Sequence, residues 1–506
     1  MKVRSRLFSF SKNLDSVLAA LLGFIIIQYF SKHSGIGVSP DSVTYISASR
    51  HLIQGKGFIS FDNLPVVDFP FGYPFFLSIL SFVTRLDPLQ FGAVLNGILF
   101  ASLLYVSGSA MNGFTNTSVW YKRILLICIL LSPALQEVYS LLWSETVFIL
   151  LTLFFIISIS NYLRHLTLRW LLISIIICSI ACLTRYAGLF MIMTGLCLIF
   201  FNGSLSWRRR IIHCFLFGSL SCSWLLLNMI RNYSATGLAM GLRPKNHVGM
   251  LKIFEYFGGV FCDWILADRI PYLAIALALV VFAVFIFTIV FSSSVRKSGN
   301  GFEYVAALTG LMYSVFMIIT SSLTRYDQFT NRLLSPMFIP LIWSVSWWIP
   351  GFVSKKSQYL KWIFGLSFFT VVVLFVRVEY LADYEYYDGV KDAGVPGYRE
   401  DPFVQSEIVQ FLEKNKTAFD PHYPIYSNAG DAVYFVTGMP ALQLPFLDYP
   451  DKVAKYYIGY NNHMPEYLVW FQDLDNPDMP KLDSILKNKK LALLKQLTDG
   501  AVYIAK

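Results

Sequence analysis

Residues 39–74 read SPDSVTYISASRHLIQGKGFISFDNLPVVDFPFGYP and stand between the first and second long apolar segments of a 506-residue chain. Asp41 falls about a dozen residues past the first apolar run. It precedes a helical pattern carrying Tyr45, Arg50 and His51, then a Gly55-Lys56-Gly57 turn and a Pro-aromatic re-entry. A carboxylate held just outside a bilayer is a candidate general base.

The flanking sequence supplies the bilayer. The chain is 56% hydrophobic and only 14% charged, with mean hydropathy +0.55, which excludes a soluble globule and requires repeated passage through lipid. Apolar runs at 14–30, 89–110, 124–141, 145–163, 170–184, 187–202, 211–230, 271–293, 304–320, 332–350 and 361–378 predict about eleven transmembrane helices. The stretch FFLSILSFVTRL (75–86) is too short to span and suits a helix lying in the interface.

The net charge of +10 does not indicate a nucleic-acid partner, because it is unevenly distributed. Residues 1–378 hold 29 of the 41 Lys/Arg and 12 of the 31 Asp/Glu, whereas residues 379–506 hold 12 and 19. The basic residues gather in alternate connections: Lys2, Arg4, Arg6 and Lys12, then Lys122 and Arg123, Arg164 and Arg169, Arg208 to Arg210, Arg296 and Lys297, and Lys355, Lys356 and Lys361. By the positive-inside rule those connections are cytoplasmic. The N-terminus is then inside, as a retained signal anchor without a small-residue cleavage site. The loop 31–88 and the tail are outside, in an integral plasma (inner) membrane protein. The expected division is a transmembrane domain over 1–378 and an extracytoplasmic α/β domain over 379–506, where PIYSN, GDAVYFVTG, ALQLP, PEYLVWFQD and AVYIA alternate strand and helix patterns.

Several polar residues fall on the predicted outer side. Asp41 reads either as a catalytic carboxylate or as a helix N-cap, since Ser39-Pro40-Asp41 is a favoured helix start. Glu145, in LLWSETVFILL, reads as a second site acid or as a first-turn acid behind a Ser144 cap. Arg185, Arg231, Arg243, Arg325 and Arg332 sit at outer ends of spans, where guanidinium groups suit a phosphate or anchor helices at headgroup level. Tyr45 and Tyr186 accompany them as candidate substrate contacts, and Asp327 is a site residue or the ion-pair partner of Arg325 and Arg332. Asp62 and Asp68 lie near prolines and read as turn formers. The seven cysteines form no ligand or disulfide pattern, and His33, His51 and His247 share no metal-binding spacing, so neither a metal nor another cofactor is expected.

The order of these motifs resembles the GT-C superfamily of polyprenyl-phosphate-sugar-dependent glycosyltransferases, among them the protein O-mannosyltransferases and the bacterial aminoarabinose transferase that modifies lipid A. The resemblance is carried by D-x-x-x-Y-x-x-x-S-R-x-L from Asp41, the P-F-G-Y-P re-entry at 70–74, Ser144-Glu145, Leu183 to Gly188, Asn331 to Pro336, and the tail stretch IYSNAGDAVYFVTGMPALQLP. It implies inverting transfer of one sugar from a polyprenyl-phosphate carrier to a lipid, glycan or protein acceptor at the external face. Asp41 would be the first-loop acid. Relatives with an Asp-Glu pair there differ from this chain, in which Ser42 follows Asp41. The alternative is a transporter or flippase of a lipid-linked sugar, which predicts mid-membrane ionisable residues and paired repeats with broken helices.

Overall fold

The Glu145–His165 helix is the most enclosed of the long apolar helices among the described residues, with 72% of its apolar window buried. In a membrane protein such a helix must be ringed by others, because its backbone bonds are satisfied internally but its side chains still need packing partners. It packs against Leu168–Thr184 and Phe302–Leu323, and Leu168–Thr184 in turn packs against Trp207–Thr236. The outer helices are different. Pro271–Phe291 and Gly365–Ala393 bury only 28% and 6% of their apolar windows, leaving faces that belong against lipid.

The structure is a computed structural model and describes residues 13–114, 118–265, 267–295, 301–325, 328–346, 358–461 and 465–505. The basic residues Lys2 to Lys12, Arg296, Lys297, Lys355 and Lys356, and the candidate site residue Asp327, lie outside the described residues. Among the described residues six helices are long and apolar enough to cross a membrane. A seventh arises if Val119–Leu130 and Pro133–Ser140, bent by 49° at a short break, form one span. The expected eleven is therefore not reached by length and composition: the runs at 14–30, 170–184 and 187–202 form the shorter helices Leu14–Phe30, Leu168–Thr184 and Tyr186–Phe200. The run at 332–350 is interrupted by a 3-10 turn at Ser335–Met337, where Pro336 removes a backbone donor.

Two compact units emerge. One comprises Met1–Phe30, Val67–Tyr73 and Gly92–Gly389, and holds the helical bundle. Its segment after residue 230, expected as a loop, contains an additional helix, Met250–Trp264, which buries Ile253, Phe257, Phe261 and Trp264 on one side. This helix packs closely on Pro271–Val295: a Cβ at Gly258 would lie 1.7 Å from the Ala274 carbonyl oxygen, so only glycine permits the approach. The last helix, Gln358–Ala393, continues past the change of composition at 379, since Tyr386 and Tyr387 pack edge-on and tilted against Phe30.

The other unit comprises Ser31–Val66, Pro74–Phe91 and Val390–Lys506, so the first loop and the tail share one core. Its sheet has five strands, β1 (Ile425–Ser427), β2 (Leu442–Gln443), β3 (Glu466–Phe471), β4 (Ala492–Gln496) and β5 (Gly500–Ala505), in the order β2-β1-β3-β5-β4. β1 runs parallel to β2 and β3, while β5 is antiparallel to β3 and β4. β3 and β5 are buried along their whole length, as the continuous apolar runs YLVWF and AVYIA require. A buried ion pair between Lys489 and Glu466 lies in this unit, with the ammonium 3.4 Å from the Tyr456 ring centroid. The helix Gly430–Thr437, which follows β1, packs on Pro40–Ile53 of the first loop. In that loop Arg50 holds Asp87 with two hydrogen bonds of 2.8 and 3.1 Å.

Candidate active site

Glu145 opens the central helix and is 1% exposed. A carboxylate so placed needs counterions, and it has two. Arg185 Nη1 lies 2.5 Å from its Oε1. Arg332 donates from Nε to the same oxygen and from Nη2 to Oε2 at 3.4 Å. The two guanidiniums come from separate turns of chain, Arg185 from the cap of Leu168–Thr184 and Arg332 from the Asn331–Leu334 turn. Ser144 does not cap the helix through its side chain, contrary to expectation; its hydroxyl accepts from Arg185 at 3.0 Å and donates to Glu145 at 3.3 Å. Trp143 lies under the Arg332 guanidinium, 4.2 Å from ring centroid to Cζ. Glu145 thus holds two guanidiniums, and Asn331, next to Arg332, donates to a second carboxylate, Glu137, at 3.2 Å.

Arg185 also lines a cavity of about 360 Å³, together with Asp68, Tyr186, Arg243, Tyr313 and Leu333. The residues Val67–Tyr73 reach this cavity because Tyr186 donates its hydroxyl hydrogen to the Val67 carbonyl at 2.9 Å, while Asn232 donates to the Tyr186 oxygen at 3.0 Å. Arg243 is fixed by donating to the Asp68 carbonyl at 3.0 Å. Arg185, Tyr186 and Arg243 are thus brought together, with Arg332 joined to them through Glu145. Arg231 and Arg325 do not line the cavity: Arg231 donates to Asn232 at 3.0 Å, and Arg325 is exposed with its backbone N–H on the Pro244 carbonyl.

A second cavity of about 400 Å³ is lined by Asp263, Trp264, Asp268, Asn331 and Glu379 among others. Trp264 Nε1 donates to Asn331 at 3.1 Å, and Asn331 donates to Glu137 at 3.2 Å. Sequence reasoning missed this group because the Met250–Trp264 helix was read as loop; the apolar spacing Ile253, Phe257, Val260, Phe261 was the available signal. Asn331 lines this cavity and Leu333 the first, so the N-R-L stretch borders both. Among the described residues no group of three His, Cys, Asp or Glu side chains is placed to hold a metal ion.

Asp41 belongs to the other unit, in the first turn of Pro40–Ile53. The cap there is Ser39, which accepts from the Ser42 N–H at 3.4 Å, while the Ser42 hydroxyl accepts from the Ser39 N–H at 3.1 Å. This reciprocal capping box takes over the structural role that Asp41 might have had, leaving its carboxylate to other contacts. Tyr45 is 1% exposed, on the packed side of the same helix. A residue outside the expected set, Asp431 of the GDAVYF stretch, is buried and accepts from the Tyr398 hydroxyl at 2.7 Å. Burial pushes its carboxyl above the usual range, and the nearby charge of Asp41 adds to that rise.

The fold of this chain is shared with solved structures of other proteins. The likeness covers the chain as a whole. It is similar to ArnT from Cupriavidus metallidurans in the apo state, with TM-score 0.57 over 97% of this chain and 97% of that one, at 12% identity. It is also similar to the archaeal oligosaccharyltransferase AglB from Archaeoglobus fulgidus, a structure in complex with an inhibitory peptide and a dolichol-phosphate, with TM-score 0.53 over 92% of this chain and 70% of that one, at 11% identity. No protein-family model and no curated protein sequence matches the chain.

Proposed function

We propose that the protein is an inverting glycosyltransferase that moves a sugar from a polyprenyl-phosphate carrier to an acceptor at the external face of the membrane. The observation that carries this reading is the grouping of guanidiniums at the cavity of about 360 Å³, where Arg185 and Arg243 line the wall and Arg332 shares Glu145 with Arg185. Such a cavity suits the phosphate of a lipid carrier, the kind of molecule present in the AglB structure as dolichol-phosphate. In this reading Glu145 is an anchor that holds two arginines in position. The neighbouring cavity, with Trp264 and hydroxyl-accepting carboxylates, suits the sugar.

Asp41 is the acceptor-activating base in this proposal, by the motif order that the first loop shares with GT-C enzymes. The acceptor oxygen loses its proton to the carboxylate and forms a bond to the anomeric carbon as the bond from that carbon to the phosphate oxygen breaks. The departing phosphate leaves with the electron pair, and fixed guanidiniums stabilise the charge that develops on it. The basic residues in alternate connections support an external site for this chemistry. Purified protein given a radiolabelled polyprenyl-phosphate sugar and a membrane extract as acceptor should transfer label with inversion. Labelled carrier that is carried across vesicles without being consumed would instead favour the transporter.

A further inference from the structure

Arg399 lies in the unit formed by residues 31–66, 74–91 and 390–506, outside every motif named above. Its guanidinium rests on the main chain of Gly35. A Cβ at Gly35 would lie 2.7 Å from Nη1, 2.9 Å from Cζ and 3.0 Å from Nη2, so the three atoms present one flat face to that backbone. Gly35 has φ +77°, a conformation suited to glycine, and the absence of a side chain there is what makes room for the group. The surrounding turn is fixed independently: Val395 N–H donates to the Ser34 hydroxyl at 3.1 Å, and Tyr398 N–H to the Val38 carbonyl at 2.8 Å. Val38 immediately precedes the Ser39 cap of the helix that carries Asp41.

This half-buried guanidinium has no ion pair and no hydrogen-bond acceptor among the described residues. Glu400 follows it in the chain but forms no ion pair with it among the described residues, while Asp401 is held by His33 at 3.0 Å and Asp431 accepts from the Tyr398 hydroxyl. Burial lowers the Arg399 pKa from its ordinary value, with no opposing charge to restore it. A partly desolvated guanidinium without an acceptor is costly to the fold. Residues 379–506 carry 19 acids against 12 bases, so the lack of a partner is not for want of carboxylates.

We propose that Arg399 is a receptor for a phosphate group, which its fork can hold bidentately beside the start of the Asp41 helix. The phosphate is one borne by the acceptor or free in solution; if it is instead the lipid carrier's, the carrier phosphate does not sit in the Arg185 cavity.

The test uses the full chain in maltoside detergent, titrated separately with inorganic phosphate and with undecaprenyl phosphate, for wild type, Arg399→Gln and Arg399→Lys. The glutamine variant should weaken binding of at least one probe about ten- to hundredfold, with lysine intermediate. Its thermal midpoint without ligand should be unchanged or raised, since a desolvated charge has been removed. An effect confined to undecaprenyl phosphate assigns the site to the carrier, and an effect on inorganic phosphate as well assigns it to any phosphate bearer. Wild-type affinity for both probes in Arg399→Gln, no binding by wild type, or a lowered midpoint in that variant would overturn the proposal. No sugar transfer is needed, so the result is independent of the transferase reading.

Discussion

Replacing Glu145 should harm the protein more than replacing either arginine that it binds, although each substitution removes part of the same cluster. Glu145→Gln leaves two guanidiniums, 20% and 18% exposed, without the carboxylate that they share. Breaking a fully buried ion pair from one side costs about 3–5 kcal/mol, and the partial exposure of the arginines puts this case near about 3 kcal/mol. Arg332→Gln leaves Glu145 still bound by Arg185 at 2.5 Å and by Ser144 at 3.3 Å. It forfeits charged hydrogen bonds and the stacking on Trp143, about 1.5–2.5 kcal/mol together. The double variant should be more stable than the sum of the single losses predicts, because the Glu145–Arg332 contact is lost in each single variant and so counted twice in that sum. Thermal and denaturant unfolding of the four proteins in one detergent measures the cycle. Equal destabilisation by the two single variants, or strict additivity in the double, would refute the view that Glu145 holds both guanidiniums.

Other consequences concern different parts of the chain. Asp41→Asn should abolish transfer while costing only about 0.3–1 kcal/mol, the worth of a first-turn acid, because Ser39 and Ser42 cap the helix without it; parallel activity and unfolding measurements check both halves. Glu466→Gln strands the buried Lys489 ammonium and should destabilise the tail by about 3–5 kcal/mol, read as an earlier unfolding transition. Asp431 has its folded pKa raised above the ordinary 3.8, so its contribution to stability is fully present below that value and declines as pH rises through the folded pKa. Asp431→Asn, which keeps an acceptor for Tyr398, should flatten the fall of thermal midpoint between acid and neutral pH; an unchanged slope would count against the burial argument.

Much of the bundle was legible because a membrane helix must satisfy its backbone internally, so apolar length alone locates it. The runs at 89–110, 145–163, 271–293 and 304–320 correspond to Pro88–Met111, Glu145–His165, Pro271–Val295 and Phe302–Leu323. What composition could not show was packing. The Met250–Trp264 helix is amphipathic and too short and polar to register as a span, and Gln358–Ala393 crosses a change of composition where Glu379 and Asp383 are buried and Tyr386 and Tyr387 pack on Phe30. The site was legible to a similar depth. Arg185, Tyr186 and Arg243 share one cavity, yet no spacing rule could reveal that Glu145 is held by two arginines from distant turns, or that capping falls to Ser39 rather than Asp41. Asp431 and Arg399 escaped notice because their significance lies in contacts of the first loop with the tail, within one unit.

The most direct test of the central claim is to photo-crosslink a polyprenyl-phosphate analogue, with the reactive group next to the phosphate, to the full-length protein and to map the labelled peptides by mass spectrometry. Label should fall on peptides spanning Thr184 to Leu189 and Met240 to Arg243, be displaced by excess unlabelled carrier, and drop sharply in Arg185→Gln. Displaceable labelling confined to other segments, or undiminished in that variant, would contradict the assignment of the carrier phosphate to this cavity.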